Sequence, residues 1–71
     1  MRIGVLGGGQ LARMLALAGA PLGLRFRFYD TSYDAPAGHV GDLAVGAFDD
    51  HGAIDRFLDH VDVVTYEFEN I

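Results

Sequence analysis

Three consecutive glycines at residues 7–9 stand between an apolar run, Arg2–Leu6, and a helix-like run that opens at Gln10. Glycine loses more backbone entropy on ordering than any other residue, so a triplet inside a regular element is costly. The stretch "LGGGQLARM" therefore marks a backbone that turns sharply, admits another group closely, or does both. Its flanks narrow the choice. "RIGVL" is short and apolar and reads as a strand buried on both faces, the kind found in parallel sheets. From Gln10 the period lengthens. Leu11, Met14, Leu15 and Ala18 recur at i, i+3, i+4 and i+7 and define one apolar helical face. Gly19 and Pro21 end that helix.

The rest of the chain alternates in the same way. Residues 25–29, "RFRFY", read as a strand with Phe26 and Phe28 on one side and Arg25, Arg27 and Tyr29 on the other. Residues 31–41 read as a loop punctuated by Pro36, Gly38 and Gly41. Residues 43–45 suit a short strand. Asp49 and Asp50 offer an N-cap, and Ile54, Phe57, Leu58 and Val61 a second helical face. Residues 61–68, "VDVVTYEF", are β-branched and aromatic, as in a last strand. The order β-α-β-(β)-α-β predicts an α/β fold, an open parallel sheet with helices on its faces. Right-handed crossovers place the first strand centrally, with the second on one side and the last on the other. A sheet of three or four strands that stops at Ile71 reads as truncated.

Composition sets outer limits. Seventy-one residues make one small domain, and a domain of that size buries only about 60% of its unfolded surface. With 51% hydrophobic residues the chain is not of the disordered class. Its net charge of −5 disfavours nucleic acid and anionic membranes as partners. There is no cysteine, so neither disulfides nor thiolate sites contribute, which fits a reducing compartment. The early Arg2 and the small residues 16–20 resemble a signal peptide, but Gly7 to Gln10 and Arg13 interrupt the apolar stretch.

Two features carry chemistry. Residues 7–12, "GGGQLA", match G-x-G-x-x-G/A between a strand and a helix, with Asp30 about 20 residues on, where a ribose-binding acid would sit. Such a loop lets backbone approach a ligand and turns a helix N-terminus toward an anion; it also serves as a tight turn that binds nothing. The second feature is "YEFEN", residues 66–70. At a strand's period of two, Glu67 and Glu69 share a face. Paired carboxylates repel unless something cationic or hydroxyl-rich lies between them; otherwise they are ordinary acids at a solvated strand end. Open α/β sheets bind ligands at the carboxyl ends of their strands, where connections diverge. The topology therefore brings the glycine loop and the two glutamates together. Such a pocket suits a phosphate or other acceptor group joined to amines or hydroxyls. His39, His51 and His60 have no metal-ligand spacing.

Taken together, "GVLGGGQLARML", "DAPAGHVGD", "VGAFDD" and "DVVTYEFEN" resemble the amino-terminal domain of the N5-carboxyaminoimidazole ribonucleotide synthase family, within the ATP-grasp superfamily. The resemblance runs from Met1 to Ile71. It implies a Rossmann-like, pre-ATP-grasp domain spanning residues 1–71, with the ATP-grasp and carboxy-terminal domains outside this chain. It implies an enzyme of purine biosynthesis, a cytoplasmic homodimer that joins bicarbonate to aminoimidazole ribonucleotide. ATP and Mg²⁺ are held by the other domains, and the reaction passes through carboxyphosphate. Gly7, Gly8, Gly9, Gln10, Leu11, Glu67 and Glu69 would line the substrate pocket. No catalytic residue or metal ligand is expected in these 71 residues, which alone should be inactive. Ala12 stands where the family pattern has glycine, and Thr31 where it has proline. The rival readings are the dinucleotide-binding unit of an NAD(P)- or FAD-dependent oxidoreductase, which would use Asp30, and a non-catalytic α/β interaction module.

Overall fold

The computed structural model describes residues 1–66. Four parallel strands form one sheet: β1 (Arg2–Leu6), β2 (Arg25–Asp30), β3 (Asp42–Val45) and β4 (Val63–Tyr66), in the order β3-β2-β1-β4. Two helices connect them, α1 (Gln10–Gly19) and α2 (His51–Leu58). Register is regular: Val5 pairs with Phe28, Leu6 with both Tyr29 and Tyr66, and Tyr29 with Ala44. The direction of strand addition reverses after β3, so β1 and β4 flank the switch point at which such sheets bind ligands.

Strand alternation divides the core between two faces. Val5, Phe26 and Phe28 pack with Ala12, Ala16 and Ala37 on the α1 side. The apolar stripe of α1 read from its period is not the side that packs. Leu11, Met14 and Leu15 are exposed, while Ala12, Ala16 and Gly19 are buried. The phenylalanines of β2 already fill the interlayer space, and only small residues let the helix reach the sheet. A Cβ at Gly19 would lie 2.6 Å from the Phe26 ring. The segment after β2 is also more ordered than its loop-like sequence suggests. Pro36–His39 forms a 3-10 turn that buries Ala37, with Ala35 buried just before it.

The opposite face is held by α2. Its N-cap is Asp50, whose carboxylate accepts the Ala53 amide at 3.0 Å. Phe57 is buried against Tyr29, with ring centroids 5.4 Å apart. Arg27 reaches from β2 to the helix's last turn, where its Nη1 donates to the Phe57 carbonyl at 2.7 Å and the Arg56 carbonyl at 3.3 Å. Its guanidinium also lies 5.3 Å from the Phe57 ring centre. A cation at a helix C-terminus meets both orphan carbonyls and the negative end of the dipole. Thus both faces of β2 are covered, one by aromatic and small residues, the other by an arginine and a tyrosine.

Tyr29 hides its ring and donates its hydroxyl to the Ala47 carbonyl at 2.6 Å. Burial pushes its phenol above the usual value, and the nearby Asp50 carboxylate adds to the effect. The neutral phenol is therefore favoured in the folded chain. Its contribution is complete below the unfolded pKa of about 10 and is lost as pH rises from there through the higher folded value. We expect urea midpoints to fall above about pH 10 and Tyr29→Phe to flatten that alkaline decline. An equally steep decline in the variant would assign it to other groups.

Candidate functional site

The glycine loop lies at the carboxyl end of β1, and hydrogen bonds fix its first half. Gly7 has φ +116°, a region that side chains rarely adopt, and its amide donates to the Tyr29 carbonyl at 2.7 Å. Gly8 is held at both polar atoms. Its amide donates to Asp30 Oδ2 at 2.7 Å, and its carbonyl accepts the Ala37 amide at 2.8 Å. There is little room for a side chain there: a Cβ at Gly8 would sit 3.1 Å from Ala35 Cβ and 3.3 Å from Asp30 Cβ.

The second half of the loop opens outward. Gly9 is half-buried, and Gln10 and Leu11 are exposed. Gly9 occupies the N-cap of α1 with no side-chain cap bond, and the helix's first turn carries no acid. A carboxylate does stand just ahead of this turn, because Asp30 Oδ2 accepts the amide of Gly8, the residue before the N-cap, where negative charge meets the positive end of the helix dipole. Of the residues read as lining a pocket, Gly7 and Gly8 are buried and Gly9 is half-buried, while Gln10 and Leu11 are exposed.

Asp30 does something that its place in the sequence does not announce. It stands at the end of β2, where a ribose-binding acid would sit, but its carboxylate faces inward to the backbone. Oδ2 takes the Gly8 amide; Oδ1 takes the Ser32 amide at 3.2 Å and the Thr31 hydroxyl at 3.4 Å. Its own carbonyl accepts the Gly46 amide at 3.0 Å. The Asp-Thr-Ser sequence carries a local signal for part of this, since aspartate commonly accepts the amide two residues on. The bond to Gly8, across 22 residues, has none.

Tyr66 pairs with Leu6, so the last described residue of β4 lies beside the start of the glycine loop. Glu67 and Glu69 lie outside the described residues. Among the described residues, no cluster of three or more His, Asp or Glu side chains is placed to hold a metal ion. No described helix is long and apolar enough to cross a membrane.

Comparison with known proteins matches all of residues 1–71 to the ribonucleotide synthetase preATP-grasp domain. The chain belongs to this family. It is 49% identical, over its full length, to the N5-carboxyaminoimidazole ribonucleotide synthase of Pseudomonas aeruginosa, of which it covers 20%. The Bacillus subtilis synthase is 40% identical over 97% of this chain, which covers 18% of that protein. Among solved structures, the N5-carboxyaminoimidazole ribonucleotide synthetase of Thermus thermophilus superposes with a TM-score of 0.94 at 65% identity, over 97% of this chain and 19% of that one. The Staphylococcus aureus synthetase complexed with ADP gives 0.91 at 38% identity, over 99% and 19%. This preATP-grasp chain therefore spans about a fifth of the length of the relatives it matches.

Proposed function

We propose that these residues are the acceptor-binding part of an ATP-dependent ligase that carboxylates aminoimidazole ribonucleotide with bicarbonate, giving N5-carboxyaminoimidazole ribonucleotide for purine biosynthesis. The observation that carries this reading is the pinned glycine loop at the switch point, beside β4 and leading into the N-terminus of α1. Its family membership supports the same reading. Gly7 and Gly8 shape the floor, and Gly9, Gln10 and Leu11 meet the ribonucleotide; Glu67 and Glu69 accept hydrogen bonds from its hydroxyls or amine. ATP and Mg²⁺ belong to domains outside these residues, so the 71 residues alone are inactive. The full-length protein is read as a cytoplasmic homodimer. An oxidoreductase is disfavoured because Asp30 already accepts three donors from its own chain.

The test is to vary each substrate in turn with Glu67→Gln and Glu69→Gln in the full-length protein. A hydrogen bond to a charged group contributes about 1.5–3 kcal/mol. At least one variant should therefore lose roughly 10- to 100-fold in kcat/KM for aminoimidazole ribonucleotide, with ATP affinity nearly unchanged. Wild-type kcat/KM in both variants would make the glutamates ordinary surface acids.

A further inference from the structure

We propose that Asp30 is a positioning residue for acceptor capture, fixing the glycine loop in its binding geometry through the Gly8 amide. This rests on the assignment of that loop to the acceptor pocket. Three connections meet at Asp30, those following β1, β2 and β3. Its Oδ2 holds Gly8, its Oδ1 holds Ser32 and Thr31, and its carbonyl holds Gly46. Most of these bonds are backbone to backbone or local. The Gly8 bond is different, because it is the side-chain bond among them that joins two separate connections.

The carboxylate is well suited to that task. It is an ionised acceptor on a neutral amide, a stronger bond than one between two neutral groups. It is partly buried, so water competes poorly. Gly8 has no side chain of its own to brace it, and the Ala37 amide fixes only its carbonyl. Without the carboxylate, the peptide that joins Gly7 to Gly8 would lose the acceptor that sets its tilt. The next residues are the half-buried Gly9 and the exposed Gln10 and Leu11, so a change in that tilt is passed directly to the surface that meets the ribonucleotide. Asp30 itself need not touch it.

The experiment uses the full-length protein with Asp30→Ala and Asp30→Asn. Two quantities are read: steady-state constants for aminoimidazole ribonucleotide and ATP, and amide hydrogen exchange at Gly8 without ligand. Asp30→Ala should raise KM for the ribonucleotide about tenfold, keep kcat and the ATP KM within about twofold, and speed exchange at Gly8. Asp30→Asn retains one acceptor oxygen and should recover part of both effects, with a KM rise of about threefold. A fall in kcat at unchanged KM would overturn the proposal, since general loss of folded enzyme behaves that way. A higher KM with unchanged exchange would also overturn it and make Asp30 a direct substrate contact. Unchanged exchange with unchanged KM would remove the positioning role and leave the pocket assignment standing. Faster exchange with unchanged KM would overturn the pocket assignment instead, and the proposal with it.

Discussion

Phe28→Ala is expected to unfold the 71-residue chain. Phe28 is fully buried in the middle of β2, stacked on Phe26 with ring centroids 6.2 Å apart and planes within 7°. Its cross-strand partner is Val5, itself 1% exposed. Truncating a buried phenylalanine typically costs about 3–5 kcal/mol, from lost transfer energy and the cavity left behind. Native domains hold roughly 0.05–0.15 kcal/mol per residue, and a chain this short has a low burial fraction. The loss is thus of the same order as the whole stability. Amide dispersion in a two-dimensional NMR spectrum would collapse, and the urea transition would vanish. A variant that kept the wild-type midpoint would show that the core lies elsewhere.

Gly19→Leu should be nearly as damaging, for the opposite reason. Its first added carbon would fall 2.6 and 2.7 Å from two atoms of the Phe26 ring and 3.4 Å from Leu24. Three further carbons follow, so the end of α1 must lift from the sheet. Overpacking usually costs about 1–3 kcal/mol, and the rigid neighbours here place the value near the top of that range. Leucine returns up to about 1 kcal/mol of helix propensity, which the clash exceeds. For a domain of 60–100 residues, each 1 kcal/mol shifts the melting temperature by about 4–8 °C. Thermal unfolding followed by circular dichroism should therefore show a drop of roughly 10 °C or more. Gly19→Ser, with a smaller addition, should fall between. A Gly19→Leu chain as stable as wild type would mean that α1 is not seated on Phe26.

Much of this architecture can be read from residue patterns. The break between "RIGVL" and "QLARM" marks a strand, a turn and a helix, and β1 ends at Leu6 as read. The cap at Asp50 and the β-branched character of "VVTY" likewise correspond to real elements. The error at α1 has a physical source. Periodicity ranks side chains by hydrophobicity, whereas the seat on the sheet is decided by the room that Phe26 and Phe28 leave. Large apolar residues lose that contest to Ala12, Ala16 and Gly19. Pro36–His39 is invisible for another reason: one short turn of small residues has no period to detect. At the site, the glycine loop is legible because backbone geometry restricts residue type. Asp30 is found by position, but its bond to Gly8 is not, since a carboxylate at the end of β2 suits a ribose hydroxyl and a backbone amide equally well. Glu67 and Glu69 remain an inference from strand alternation and family resemblance.

The strand order has a consequence for the cost of assembling the sheet. β1 meets β2 through residues 23 positions apart, as at Arg2 and Arg25, but meets β4 through residues 60 apart, as at Ile3 and Val63. Loop-closure entropy grows with the logarithm of the span, so the longer closure costs about 0.8 kcal/mol more. It also gains less, because every described residue of β4 is exposed while the pairing of β1 with β2 brings in Val5, Phe26 and Phe28. β1, β2 and β3 make a self-consistent half whose neighbours in space are neighbours along the chain. β4 is therefore the described strand whose closure loses the most entropy and is least offset by burial.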